Sequence, residues 1–181
     1  MLNFCVMLSK AKYIKTVPQI LPHEPEFDQA ESQNFYFKSE ELKIEAALLT
    51  DQRVILMDRN YVSTLAFYWS FDQIHGTKTY KRALHWYRRT MRMGKLVKPF
   101  TVFYIETPIE LGTARKGRSL GNCLGDLWLN EEFLKAFISY YDYFYSIIER
   151  DIQVVKLSGK ESLSSLKRQI QEYIHEKAEK V

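Results

Sequence analysis

The stretch Val54-Ile-Leu-Met-Asp58-Arg59-Asn60-Tyr61-Val-Ser63-Thr64-Leu-Ala-Phe-Tyr68 decides how this chain is read. Its first four residues are apolar without interruption, the pattern of a short strand buried on both faces of a parallel sheet. An acid and a base end the strand, and a helix-compatible run carrying hydroxyl groups follows. In an open α/β sheet, ligands bind beyond the carboxyl ends of the strands. Asp58 and Arg59 fall at that edge. Arginine grips phosphate with a fork of donors, and aspartate holds Mg²⁺ directly or through water. The same pair also reads as an ion pair that merely finishes a strand.

Outward from this stretch, three more segments have strand character: 13–17, Thr101–Glu106 and 152–157. Each is rich in β-branched or aromatic residues and bounded by polar or turn residues. Helical spacing lies between them, at 39–50, 61–71, 77–93 and 161–177. Gly94 suits the position after a helix C-terminus. Thr107-Pro108-Ile-Glu110 is a capping signal, and Asn130 caps a helix with Phe133, Phe137, Tyr141, Phe144 and Ile148 on one face. Strands alternating with helices predict an α/β fold, a parallel sheet covered by helices on both faces. No repeat or linker divides the 181 residues, so one domain is expected, with Leu120-Gly-Asn-Cys-Leu-Gly125 as its most loop-like stretch.

Composition narrows the function classes. Hydrophobic residues make up 46% and charged residues 27%, which supports a core and excludes disorder throughout. No apolar run approaches the ~18 residues of a membrane span. The first eight residues lack the basic and long apolar parts of a signal peptide. Cys5 and Cys123 lie far apart without a C-x-x-C pattern, which excludes a disulfide scaffold and the common zinc modules and makes a cytoplasmic setting the expectation. The four histidines form no metal-ligand spacing.

Charge is unevenly spread. Between Glu24 and Ala47 there are seven acids and two lysines. Between Lys78 and Lys98 there are eight basic residues (78, 81, 82, 88, 89, 92, 95 and 98) and no acid. Such a block is a solvated helix face or the footprint of an anionic partner. Without a recognised nucleic-acid reader motif, a small phosphorylated ligand is the expected form of that partner.

The Asp58-Arg59-x-Tyr61-x-Ser63-x-x-Ala66-Phe67 pattern after a buried strand resembles the signature of thymidylate kinases and related deoxynucleoside kinases of the P-loop kinase superfamily. Lys98-Pro99 through Glu110 is similar to that family's fourth strand and the helix after it. Arg115-Lys-Gly-Arg118 looks like its arginine-bearing lid, a region of about 111–130, Trp128 to Tyr145 like its aromatic helix, and Val154 to Gly159 like its last strand and adenine loop. Glu24-Pro25 resembles the Glu-Pro of deoxynucleoside kinases. The likeness spans roughly 13–173. It implies ATP- and Mg²⁺-dependent phosphoryl transfer to a nucleoside or nucleoside monophosphate. It also implies roles. Arg59 binds acceptor phosphate or stabilises the transferred charge, Asp58 places Mg²⁺ or the acceptor sugar, and Glu24 sits near the acceptor hydroxyl. Arg115 and Arg118 close over the transferring group. Tyr36, Tyr61 and Tyr68 line a base pocket, Arg82 adds a phosphate contact, and Ser158 and Gly159 lie near the adenine. Two positions depart from the family: Trp69 stands where glutamine is common, and Glu106 where the fourth strand commonly ends in Asp.

The family fold opens with a strand, a Gly-x-x-x-x-Gly-Lys-Ser/Thr loop and a helix that cradle the phosphates of ATP. Of seven glycines here the first is Gly76, so that loop has no counterpart, and the chain is expected to start inside the family's first helix. The central strand is then missing or replaced, with 3–8 as the makeshift substitute. Gly112 to Ser119 has phosphate-loop spacing, but a helix start separates it from its strand, so it reads as helix end and lid. Two alternatives to a kinase remain: an inactive homologue that binds a nucleotide or a protein, and a polyanion binder using helix 78–98. Exposed aromatic helices would permit a homodimer.

Overall fold

The computed structural model describes residues 3–8, 14–17, 29–49, 54–116 and 125–178. Five strands form one sheet: β1 (Asn3–Leu8), β2 (Ile14–Val17), β3 (Val54–Asp58), β4 (Thr101–Glu106) and β5 (Gln153–Ser158), in the order β2-β3-β1-β4-β5. The helices are α1 (Gln29–Leu48), α2 (Tyr61–His75), α3 (Thr79–Arg92), α4 (Ile109–Lys116), α5 (Gly125–Leu129), α6 (Glu131–Tyr143) and α7 (Leu163–Ala178), with a π-helical turn at Phe144–Ile148.

β2 runs parallel to β3 and β4 parallel to β5, as expected. The expectation of a wholly parallel sheet fails at the centre. β1 fills the gap between β3 and β4 but runs antiparallel to both, pairing Phe4 with Asp58 and with Phe103. The substitute strand therefore exists, in the reverse direction. Without it the facing edges of β3 and β4 would leave buried amide and carbonyl groups unpaired, at about 1–3 kcal/mol each.

The apolar runs of β3 and β4 follow from burial on both faces. Alternate residues of a strand point to opposite faces. Ile55, Met57, Val102 and Tyr104 enter a large cluster with α2, α3 and α6, while Val54, Phe103, Ile105 and Leu157 meet Leu166 and Ile174 of α7 on the other face. The large cluster is mostly aromatic: Tyr61 stacks on Tyr87 at 5.2 Å, and Phe133 and Phe137 pack edge-on to Trp128.

Helix ends match their capping chemistry. The Asn60 side chain accepts from the Val62 amide, and that of Asn130 from the Phe133 amide. Gly76 and Gly94 take left-handed φ values of 62° and 67° after α2 and α3, a conformation that costs a Cβ-bearing residue about 1 kcal/mol or more. α1 differs from expectation, because it starts at Gln29 rather than 39. The Ser39-Glu-Glu signal lies mid-helix. There Ser39, Glu40 and Lys43 are buried, and Glu40 pairs with Lys43 at 2.8 Å.

α3 has no capping side chain of its own, since Lys78 makes none. Asp72, from the last turns of α2, supplies the cap. It accepts from the Thr79 and Tyr80 amides at 2.9 Å each and from the hydroxyls of Thr79 and Thr77. Burial alone would raise the Asp72 carboxyl, but these bonds outweigh it and hold the group below its usual value. Replacing Asp72 with Ala should lower unfolding free energy by about 2 kcal/mol, read as a lower urea midpoint at unchanged slope. A carboxyl made more acidic by folding contributes fully above its unfolded value of about 4, and that contribution is lost as pH falls through the lower folded value. The gap between wild type and Asp72→Ala should therefore close in acid. A gap that persists unchanged to pH about 2 would remove the carboxylate from the cap.

Candidate functional site

The carboxyl edge of β3 and β4 gathers most of the predicted side chains. At its centre the chain turns from strand to helix in two residues. Arg59 takes φ +60°, the left-handed region, and Asn60 returns to extended geometry before α2 begins. A non-glycine residue held there costs of order 1–2 kcal/mol, and such outliers concentrate at binding sites. The turn presents the Arg59 guanidinium over the Trp128 ring, 5.9 Å from its centroid.

Helix α1 brings Tyr36 to Arg59, and α2 and α3 extend the group outward from Tyr36. The Arg59 charge acts on Tyr36 of α1, partly offsetting a burial that pushes that phenol up. Burial, and then the phenol of Tyr36, raise Tyr68 of α2, while Arg82 of α3 acts in the opposite sense. The four groups form a chain of neighbours: Arg59 beside Tyr36, Tyr36 beside Tyr68, and Tyr68 beside Arg82. Both phenols stay protonated at neutral pH and keep a hydrogen to donate. Arg82 donates to the Asn34 side chain at 2.7 Å, which holds its guanidinium against α1.

Buried polar atoms border this cluster. Asp58 Oδ1, Asn60 Nδ2 and the Tyr68 hydroxyl have no hydrogen-bond partner among the described residues. Buried polar groups are rarely left so, and each calls for a ligand, a solvent molecule or another protein group.

A second group lies further along the edge, beyond β4 and β5. Arg115 donates to the Gly159 carbonyl at 2.9 Å, which brings these two positions together. Gly159 packs so tightly that an added Cβ would sit 2.8 Å from the Glu106 carbonyl oxygen. Ser158 is exposed and lines an open cleft of about 590 Å³ with Tyr104, Glu106, Lys156 and Lys160. Lys156 bonds Glu106 at 2.9 Å and reaches Asp142 at 3.4 Å.

Tyr61 does not join the cluster as a pocket wall: it is 1% exposed and stacked within the aromatic core. Trp69, at the family's glutamine position, turns toward Tyr80 and Tyr140 rather than toward Arg59. Gly112 lies within α4, as helix rather than phosphate loop. Glu24 and Arg118 lie outside the described residues. Reading the sequence missed Trp128 and Asn34 as the supports of Arg59 and Arg82. Only their proximity in space reveals them.

The resemblance also implies ATP and Mg²⁺, and the direction of β1 does not fit the phosphate loop that would hold ATP. A phosphate loop after the first strand requires that strand to end at the carboxyl edge. β1 starts there and ends opposite Val54, at the amino end of β3. Asp58 offers one buried carboxylate oxygen that is unpaired among the described residues, and Mg²⁺ at a phosphate site takes only one or two carboxylates beside phosphate and water.

The strained turn gives a direct test. Arg59→Gly should be more stable than Arg59→Ala by about 1 kcal/mol, because glycine enters the left-handed region freely. Equal melting temperatures for the two variants would mean that position 59 is not left-handed. No protein-family model matches this chain, and no curated protein matches it.

Proposed function

We propose that this chain is a thymidylate kinase-like nucleotide-binding domain, with the Arg59 cluster as its acceptor site. The ligand class is a nucleoside or nucleoside monophosphate. The observation that carries this reading is the succession of Arg59, Tyr36, Tyr68 and Arg82 as neighbours, beginning at a turn whose buried Asp58 and Asn60 atoms lack partners among the described residues. Two guanidiniums supply charge for a phosphate, and two protonated phenols supply donors and ring faces for a sugar and base. Arg59 is preorganised twice, by its backbone turn and by Trp128, so little ordering is needed on binding.

ATP-dependent transfer of a phosphoryl group to that acceptor is the reaction such a site serves in the family this chain resembles. The direction of β1 favours acceptor binding, without transfer, as the activity of the described residues. That is the inactive, nucleotide-binding form of the reading.

Thermal denaturation with a panel of nucleoside 5′-monophosphates tests it. A ligand at about 100 times its dissociation constant adds about 2.7 kcal/mol, which raises the melting temperature of a chain this size by roughly 5–10 °C. Arg59→Ala should abolish the shift, and the parent nucleoside should give a smaller one. If no monophosphate shifts the transition, or the Ala variant responds equally, the acceptor site is wrong.

A further inference from the structure

The basic block of the sequence becomes a single surface in α3. The helix puts Ala83, Trp86, Tyr87 and Thr90 into the core, and its opposite side carries Lys81, Arg82, Arg88, Arg89 and Arg92, all exposed. At 100° per residue these five fall within an arc of about 120°, and from Lys81 to Arg92 the stripe runs ~17 Å. Lys78 extends it at the N-terminal end. Among the described residues no carboxylate lies within ion-pair distance of any of the six. The bridges of this region go instead to Lys95, through Glu41, and to Lys98, through Glu149 and Asp151. The one acid beneath the start of the helix, Asp72, is already bonded to the Thr79 and Tyr80 amides.

A stripe this long exceeds the phosphate chain of a nucleoside triphosphate, so a small ligand leaves most of its charge unmatched. The stripe is also flanked by aromatic side chains. At the first turn of α3 the Tyr80 and Tyr140 hydroxyls bond at 3.0 Å, and Tyr143, 47% exposed, packs its ring against Tyr140. Charges in a row beside an exposed ring are the elements of a single-stranded nucleic-acid track, where cations follow the backbone and rings stack on bases. A membrane surface fits less well, because the apolar side of α3 is already buried in the core and has nothing to insert into lipid.

We propose that the exposed face of α3 binds the phosphodiester backbone of single-stranded nucleic acid. Lys81, Arg88, Arg89 and Arg92 make the phosphate contacts, and Tyr143 provides a stacking surface. This stands apart from the acceptor site, with Arg82 as the one residue common to both.

The test is fluorescence anisotropy with a fluorescein-labelled oligothymidylate of about 20 nucleotides, longer than the ~4–16 that such tracks occupy. With four phosphates neutralised, log affinity should fall against log salt with a slope of about −3, roughly a 50-fold loss between about 50 and 200 mM. R88Q/R89Q/R92Q, at exposed positions that leave the core intact, should flatten the slope by about 2. Tyr143→Ala should weaken binding about tenfold or more while leaving the slope unchanged. Arg59→Ala should bind the oligonucleotide normally, which separates failure here from failure of the acceptor site. The proposal is overturned by absence of binding at about 50 mM salt, by a triple variant that binds like wild type with an unchanged melting temperature, or by binding to anionic phosphatidylserine vesicles but not to the oligonucleotide.

Discussion

The reversal at Asp58-Arg59-Asn60 is the constraint on which the rest depends. A strand buried on both faces must leave the sheet abruptly for α2 to lie back against it. The chain achieves this with one residue in left-handed geometry and one side-chain cap. α2 then packs against α6, with Ser63 bonded to Tyr141 at 2.7 Å, and it delivers Tyr68 to the edge. The Asp72 cap near its far end starts α3, which delivers Arg82 and the basic face. Displacing the turn would misplace each of these groups together.

Legibility in the sequence followed the strength of the local pattern. β3 and β4 match their expected limits to the residue, because uninterrupted apolar runs bounded by polar residues admit few alternatives. Asn130 and Gly94 were legible because capping has a narrow chemistry. The start of α1 was not, because its buried side includes Gln33, Ser39, Glu40 and Lys43 and so lacks an apolar period. The direction of β1 was not legible either. A short apolar strand carries no mark of its polarity, which is set by what the neighbouring edges accept.

The site was partly legible for the same reason. Asp58, Arg59, Tyr68 and Arg82 stand in patterns local to one strand or helix. Their supports come from distant positions: Trp128 lies in α5 and Asn34 in α1. Tyr61 illustrates the reverse case. Its place in the motif suggested a pocket wall, but the first turn of α2 faces Tyr87 and Phe144, and packing claims the ring.

The reversed central strand also bears on how the molecule assembles. β1 pairs with strands about 50 and about 100 residues further along the chain, so the closure entropy of both loops is spent before its hydrogen bonds form. Until it docks, β3 and β4 present two unpaired apolar edges to each other and to neighbouring molecules. The slowest native pairing in this fold is then also its principal safeguard against aggregation, because one short segment closes both edges at once.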